Sequence, residues 1–203
     1  MEPSASVRFF DAQFERQLAA GELQLNPFEQ AALPFLQGHV LDCGCGLGNL
    51  ALAAAQRGCT VVALDGSAAA IAHLQALAVA HRLPITAARA DLRDHVPPRE
   101  AFDAVVSIGL LMFFACTDAR RQLSRLQAAV RPGGVAAVNV LIEGTTFLDM
   151  FDAEAHCLFG GNDLRQAFDG WTLLHDSEQD FEAPRGLVKR FSTLIARKPQ
   201  TGA

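Results

Sequence analysis

Apolar residues follow two different spacings along the middle of the chain. Five short apolar runs have the length and the β-branched content of buried strands. These runs are His39–Cys43, Thr60–Leu64, Ile85–Arg89, Phe102–Ile108 and Val135–Ile142. Between them, apolar residues recur at helical spacing in segments that end at Gly58, before Pro84 and before Pro132. Because parallel strands with helices on both faces are apolar throughout, this order predicts an α/β fold with a doubly wound, mostly parallel sheet.

The two ends of the chain have patterns of their own. Residues 9–37 are predicted to form two helices, with Pro27 opening the second, and such a segment often covers a ligand cleft. After Gly144 the sequence predicts a short helix at Asn162–Phe168. It also predicts two strands that can pair as an antiparallel hairpin at the sheet edge, Trp171–His175 and Leu187–Ala196.

Composition and charge narrow the class of protein. Half of the 203 residues are hydrophobic, 19% are charged, and no linker or repeat divides the sequence, so we expect a single domain over residues 1–203. Within it, we expect 1–37 to cover a cleft, 38–143 to form the ligand-binding core and 144–203 to contribute the substrate side and the hairpin. The net charge of −5 argues against binding to nucleic acid or an anionic membrane and favours a small-molecule partner. The sequence gives no indication of the oligomeric state.

Targeting signals and cysteines suggest a cellular location. The uncharged run at Ala104–Thr117 is shorter than the roughly 20 residues of a membrane span, and the first residues, MEPS, do not resemble a secretory signal. We therefore expect a cytoplasmic protein without a membrane partner. The five cysteines form no C-x-x-C pair and no histidine pair has metal-ligand spacing, so we expect buried free thiols, no disulfide and no metal site.

A glycine-rich turn, LDCGCGLG at residues 41–48, follows the first predicted strand. Glycines allow the backbone to turn sharply and approach a ligand, and the next helix offers free N–H donors. Asp65 closes the second strand 23 residues after Asp42, near the roughly 20-residue spacing at which a carboxylate reaches ribose hydroxyls. Together these features predict a nucleotide-like ligand. The third glycine comes one position too early for G-x-G-x-x-G, and position 49 is Asn, which counts against a pyrophosphate.

Further acids indicate which ligand is bound. Asp42 suits a cationic amino-acid end, as in S-adenosylmethionine. Asp91 ends the third strand, where it can accept a hydrogen bond from an exocyclic amine while Leu92 lines an adenine ring.

These motifs resemble those of the class I S-adenosylmethionine-dependent methyltransferases. The resemblance covers residues 41–48, 65, 91–92, 102–107 and 131–134. More narrowly, residues 106–107, 111–114, 164–165, 170–171 and 189–198 resemble the tellurite-resistance methyltransferases. The resemblance implies a Rossmann-like sheet of seven strands whose last strand is antiparallel, and methyl transfer to a small molecule such as a tellurium or selenium oxyanion.

The motifs and the resemblance together give a set of candidate site residues. The cofactor-binding residues are Asp42, Gly44, Cys45, Gly46, Gly48, Asp65, Gly66, Asp91, Leu92 and Ser107. Methyl transfer depends mainly on alignment, so few catalytic groups are needed. Ser107, at the end of the fourth strand, is expected to face the methyl group or the acceptor. Arg185, in the hairpin link, is expected to hold the oxyanion because its guanidinium can bind two oxygens at once.

Other functions remain open at this point. A thiol, amine or hydroxyl can replace the oxyanion as the acceptor. A nicotinamide-dependent reductase shares the sheet and the acidic ribose ligand, but the glycine spacing disfavours it, and the lack of tyrosine removes the Tyr-Lys chemistry of short-chain reductases. A noncatalytic S-adenosylmethionine-binding module is the third alternative, which turnover of any acceptor would exclude.

Overall fold

A computed structural model describes residues 5–21, 23–151 and 155–200 of the chain. The helices are α1 (Ala5–Ala20), α2 (Pro27–Ala32), α3 (Asn49–Gln56), α4 (Ala68–His81), α5 (Cys116–Ala129) and α6 (Asp163–Ala167). The strands are β1 (His39–Cys43), β2 (Thr60–Asp65), β3 (Ile85–Arg89), β4 (Phe102–Ile108), β5 (Val130–Leu141), β6 (Thr172–Ala183) and β7 (Leu187–Arg197). Short 3-10 turns lie at Leu33–Phe35, Leu111–Phe113 and Pro184–Gly186.

One seven-stranded sheet organises the fold, in the order β3-β2-β1-β4-β5-β7-β6. The first five strands are parallel, and β7 is antiparallel to both β5 and β6. The predicted α/β class, the doubly wound sheet and the antiparallel hairpin are therefore confirmed. The parallel arrangement brings the carboxyl ends of β1 to β5 to the same edge, which is where ligands bind in open α/β sheets.

Two strands are longer than predicted. Strand β5 begins at Val130, which pairs with Phe102, and a register shift after Phe102 accommodates the intervening Arg-Pro-Gly-Gly segment. Strand β6 continues to Ala183, although its second half is polar, because it pairs with β7 as far as Leu187.

Buried side chains fill both faces of the sheet. Helix α5 covers one face, where Leu123 and Leu126 join a core with β4 and β5. Helices α3 and α4 cover the other face, where Leu50 and Leu74 pack with residues of β1, β2 and β4. Ser67 caps α4, accepting a hydrogen bond from Ala70 N–H at 3.1 Å. Within the described ranges, no helix is both long and apolar enough to cross a membrane.

Helix α2 connects the N-terminal region to the C-terminal hairpin. Asn26 accepts hydrogen bonds from two N–H groups of the first turn, and Glu29 accepts one from the Asn26 N–H, which is a capping box that fixes the start of the helix. The Phe28 ring then packs against Phe181 and Phe191, with centroid distances of 5.5 and 4.7 Å.

The prediction that all cysteines are free thiols is wrong. Cys116, the first residue of α5, forms a disulfide with Cys157, at a sequence separation of 41. Spacing rules could not show this pair, because the two cysteines meet only through tertiary packing, in which the Cys157 N–H donates to the Met112 carbonyl. Cys43, Cys45 and Cys59 are free and buried, as expected.

Candidate functional site

A cavity of ≈ 750 Å³ lies at the carboxyl edge of the sheet. Its volume falls in the range of roughly 300–1,000 Å³ that is typical of small-molecule sites. Most of the predicted cofactor-binding residues line it: Asp42, Gly44, Cys45, Gly46, Gly48, Asp65, Gly66, Asp91 and Leu92. Side chains from α1, α2 and β7 complete the walls.

The glycine turn between β1 and α3 needs its glycines for conformation and for space. Gly44, Gly46 and Gly48 have φ values of +84°, +52° and +80°, in the left-handed region that disfavours other residues. A side chain at position 48 would come within 2.5 Å of Leu74, so this glycine serves packing against α4. A side chain at position 46 would meet the Phe14 ring of α1 at 3.2 Å, on the side where α1 covers the cavity.

Asp65 joins two turns at the carboxyl edge of the sheet. One carboxylate oxygen accepts a hydrogen bond from the Gly46 N–H at 2.9 Å, and the other accepts one from the Ser67 N–H at 2.8 Å. Burial raises the pKa of Asp65, while these N–H donors oppose the shift. Each oxygen keeps a lone pair with which it can accept a further hydrogen bond from a ligand hydroxyl.

Asp42 has a buried oxygen that none of the described residues satisfies. Its side chain is almost fully buried, and its Oδ2 has no hydrogen-bond partner. Burial, together with the neighbouring carboxyls of Glu29 and Asp65, raises the pKa of Asp42 to about 8. Burial also raises the pKa of Glu29, which lines the cavity from α2. These three acids, the carboxylate cluster, favour a ligand that carries positive charge.

The β3 end of the cavity is more polar. Asp91 is partly exposed and accepts a hydrogen bond from Arg93 at 2.8 Å, which lowers the pKa of Asp91. Leu92 is buried and lines the cavity beside it. Arg89 donates to the Gly66 carbonyl at 3.0 Å. This end can therefore hold a flat ring against Leu92 and a hydrogen-bond donor against Asp91.

The opposite end of the cavity is largely apolar. Its walls, here called the aromatic chamber, are formed by Phe10, Phe28, Phe113, Met150 and Phe191. The Phe10 and Phe113 rings are in edge contact at 4.9 Å. Lys189 of β7 also lines the cavity, with its ammonium 4.8 Å from the centroid of the Phe147 ring.

Asn139 of β5 borders the cavity between these two ends. Its Nδ2 donates to the Thr193 hydroxyl at 2.9 Å. Its Oδ1 is buried and has no partner among the described residues. A ligand hydroxyl or amine is the kind of group that could satisfy such an acceptor.

Ser107 does not line the cavity, contrary to the prediction. Side chains alternate between the two faces of a strand, and Val106 and Ile108 pack on the α3 and α4 face, where Ile108 reaches the cavity. Ser107 lies on the other face, fully buried, and its hydroxyl has no partner among the described residues.

Arg185 is also outside the cavity, contrary to the prediction. It lies in the turn at Pro184–Gly186, with its side chain 66% exposed and paired with Asp149. The physical reason is the length of β6, whose 12 residues carry the turn beyond the cavity edge.

The sequence did not identify five of the charged residues that line the cavity, which are Glu29, Arg89, Arg93, Asp118 and Lys189. Glu29 belongs to a capping box, which already gives its carboxylate a structural role. Lys189 lies in the C-terminal segment 189–198, for which the sequence analysis predicted no site residue. The signal that could have found it is its period-two relation to Phe191 on one face of β7.

Comparisons with known proteins identify a family match and several similar chains. Residues 40–134 match the family described as a methyltransferase domain. The chain is 29% identical over 170 residues to hemagglutinin 1 of Eikenella corrodens, covering 78% of this chain and 54% of that protein. It is 35% identical over 126 residues to the carboxy-S-adenosyl-L-methionine synthase of Geobacter metallireducens, covering 58% of this chain and 51% of that protein. The chain thus spans about half the length of these curated relatives.

Solved structures show the same fold. TehB from Haemophilus influenzae superimposes with a TM-score of 0.74 at 21% identity, covering 86% of this chain and 62% of TehB. A second structure, described as that of the conversion of a disulfide bond into a thioacetal group during echinomycin biosynthesis, has a TM-score of 0.66 at 28% identity. That match covers 88% of this chain and 84% of the other.

Proposed function

We propose, on the premise that residues 40–134 form a class I S-adenosylmethionine-dependent methyltransferase domain, that the protein methylates a small molecule. The single observation that carries the proposal is the carboxylate cluster, with the unpartnered Asp42 oxygen at the wall of the cavity. S-adenosylmethionine has an ammonium and a sulfonium, which such a cluster attracts. A dinucleotide pyrophosphate would be repelled by the same acids, which disfavours the nicotinamide-dependent reductase.

The strand order supports an assignment of individual residues to the adenine, the ribose and the ammonium of this cofactor. Across the sheet, Asp91 follows β3, Asp65 ends β2 and Asp42 lies in β1. In the proposal Asp91 and Leu92 hold the adenine, Asp65 holds the ribose hydroxyls, and Asp42 with Glu29 holds the ammonium. When bound, S-adenosylmethionine supplies an activated methyl group. The chain orients the acceptor and excludes water, which is sufficient for an in-line displacement.

The titration of Asp42 provides a test of the cofactor site. With a pKa of about 8, Asp42 is largely protonated at pH 7 and must lose this proton before it can pair with a cation. Through this ionisation, affinity for S-adenosylmethionine is therefore expected to rise by about fivefold between pH 7 and pH 8 and by about tenfold in total, levelling off above about pH 9. Isothermal titration calorimetry in buffers of different ionisation enthalpy measures both the affinity and the proton release.

The matched control is Asp42→Asn, which keeps the shape of the side chain and cannot ionise. Any titration of the ligand itself affects both proteins, so the difference between their pH profiles isolates the Asp42 carboxyl. Parallel profiles in the two proteins would rule out the pairing of Asp42 with the ammonium.

The acceptor that we propose is a tellurium or selenium oxyanion. Support comes from the resemblance to the tellurite-resistance methyltransferases and from the fold shared with TehB. The echinomycin relative is described as acting at sulfur, which is a lighter chalcogen. A chalcogen attacks through a lone pair and need not release a proton from the attacking atom. This fits a cavity in which no histidine is found among the described lining residues.

Methylation assays with tellurite and selenite test this acceptor. The expected result is formation of S-adenosylhomocysteine together with an equal amount of a methylated tellurium or selenium oxoacid, both lost in Asp42→Ala. Turnover only with a thiol, an amine or a hydroxyl compound would support the methyltransferase activity and refute the oxyanion as its acceptor. Binding of S-adenosylmethionine without turnover of any of these acceptors would favour the noncatalytic module.

A further inference from the structure

We propose that Lys189 holds the acceptor, and that the acceptor is a singly charged chalcogen anion, either a thiolate or selenolate or a singly protonated oxyanion. This inference rests on the methyltransferase function proposed above. It replaces Arg185 with a residue that does line the cavity.

The position of Lys189 in the sheet places it at the acceptor end. Phe191 pairs with Leu141, the last residue of β5, so Lys189 lies two residues farther along β7, beyond the carboxyl end of β5. In strand order, β7 is five positions from β3, which at about 4.8 Å for each strand is roughly 24 Å. A cofactor whose adenine lies at Asp91 thus has its reactive end between the adenine site and Lys189.

The other cations that line the cavity are already engaged at the far end. Arg93 is paired with Asp91, and Arg89 donates to a backbone carbonyl beside β2. Lys189 is partly buried and contacts the Phe147 ring, and no carboxylate among the described residues forms an ion pair with it. Its ammonium is therefore available to an anion in the aromatic chamber.

The charge of the acceptor follows from the two ends of the cavity. Lys189 is the one cationic residue that lines this end of the cavity among the described residues, and in the proposed function the cofactor's ammonium offsets the carboxylate cluster, so the acceptor end balances a single negative charge. The apolar and aromatic walls favour a soft, polarisable atom over a strongly hydrated one. One negative charge beside a chalcogen satisfies both conditions.

The chemistry balances with this assignment. The chalcogen lone pair forms a bond to the methyl carbon, the bond from that carbon to the sulfonium sulfur breaks, and its electron pair stays on the sulfur of S-adenosylhomocysteine. A thiolate or selenolate thereby loses its negative charge, and the neutral product no longer pairs with Lys189, which favours its release from the chamber. A singly protonated oxyanion gives a methylated oxoacid, which can release its remaining proton to the solvent.

Variants on one strand provide matched tests. Lys189→Met removes the charge and keeps the apolar stem, and Lys189→Arg keeps a charge. Arg190→Met is the control, because Arg190 is the next residue, points to the opposite face and pairs with Asp180 at 3.0 Å. The probes are selenite and tellurite as oxyanions, thiophenol at pH 8 as a thiolate, and aniline as a neutral acceptor.

We expect Lys189→Met to raise KM at least tenfold for the anionic probes and to leave the affinity for S-adenosylhomocysteine within twofold. Lys189→Arg should recover part of this loss, and Arg190→Met should match the wild type. Turnover of thiophenol but not of the two oxyanions would identify the thiolate source, and the reverse would identify the oxyanion source.

Several results would overturn the inference. One is an unchanged KM for the anionic probes in Lys189→Met. Another is a loss of affinity for S-adenosylhomocysteine in this variant as large as the rise in KM. A wild type that methylates aniline but none of the anionic probes also removes the inference, while the proposed function stands. If no probe is turned over, a thermal-shift assay measures binding of the anionic probes to the complex with S-adenosylhomocysteine. Equal shifts in the wild type and Lys189→Met, or no shift in either, would reject the inference. Failure to bind S-adenosylmethionine at all refutes the proposed function itself.

Discussion

Replacing Asp65 with alanine is expected to weaken S-adenosylhomocysteine binding by about a hundredfold or more while the protein remains folded. Hydrogen bonds to a charged group contribute about 1.5–3 kcal/mol each, and a hundredfold change corresponds to about 2.7 kcal/mol. The structure adds a second cause, because the Gly46 and Ser67 N–H groups lose their acceptor in the variant. Isothermal titration calorimetry measures the affinity, and circular dichroism verifies the fold.

Asp91→Ala is the matched comparison for this result. Asp91 also lines the cavity, but it is partly exposed, pairs with Arg93 and accepts a backbone hydrogen bond only from that residue. Its replacement should weaken binding much less than that of Asp65. Equal losses in the two variants, or an affinity in folded Asp65→Ala within threefold of the wild type, would contradict the role assigned to Asp65.

The second large effect is expected from the disulfide. It joins residues with a sequence separation of 41, for which the chain-entropy model gives roughly 4 kcal/mol of stabilisation at 25 °C. Cys116→Ser should therefore lower the free energy of unfolding by about 2–4 kcal/mol. Urea denaturation followed by tryptophan fluorescence measures this change at Trp171, which packs on the core that contains both cysteines.

Two further measurements test whether the loss of stability comes from the disulfide itself. Wild-type protein in a thiol reductant should unfold at the same urea concentration as Cys116→Ser under oxidising conditions. In Cys59→Ser, which changes a buried free thiol, the reductant should lower the free energy of unfolding by the same amount as in the wild type. Equal stability of oxidised and fully reduced wild type would show that the bond contributes nothing.

The sequence was most informative where local pattern and packing coincide. Strands β1 and β4 have the predicted bounds, because each is a largely buried apolar run with a clear end. Strand β3 also has its predicted bounds, although only Ala87 is buried, and it pairs with β2 over its whole length. Strand β6 was predicted only to His175, because the residues that follow are polar and exposed at the sheet edge. Its extent is set by hydrogen bonding to β7, which no local pattern reports.

Some residues of the candidate site could likewise be predicted from local pattern, and others could not. The glycine turn, Asp65 and Asp91 lie next to strand ends, so their positions followed from the strands alone. Glu29 and Lys189 come from opposite ends of the chain, and only tertiary packing brings them to one cavity. For Ser107, alternation along β4 places the side chain on the face opposite Ile108, but only tertiary packing determines that Ile108 and not Ser107 lines the cavity.

Strand β7 is the last strand in chain order, yet it lies inside the sheet between β5 and β6. During synthesis, the backbone groups along one edge of the 12-residue β5 therefore remain unpaired until residues 187–197 have left the ribosome. Helix α2 also lacks its packing partner until then, because Phe28 packs against the hairpin, which is synthesised last. The aromatic chamber is thus complete only when this strand is in place, because Phe191 forms part of its wall. The glycine turn, Asp65 and Asp91 all precede β4, so the cofactor end of the cavity can form before its acceptor end.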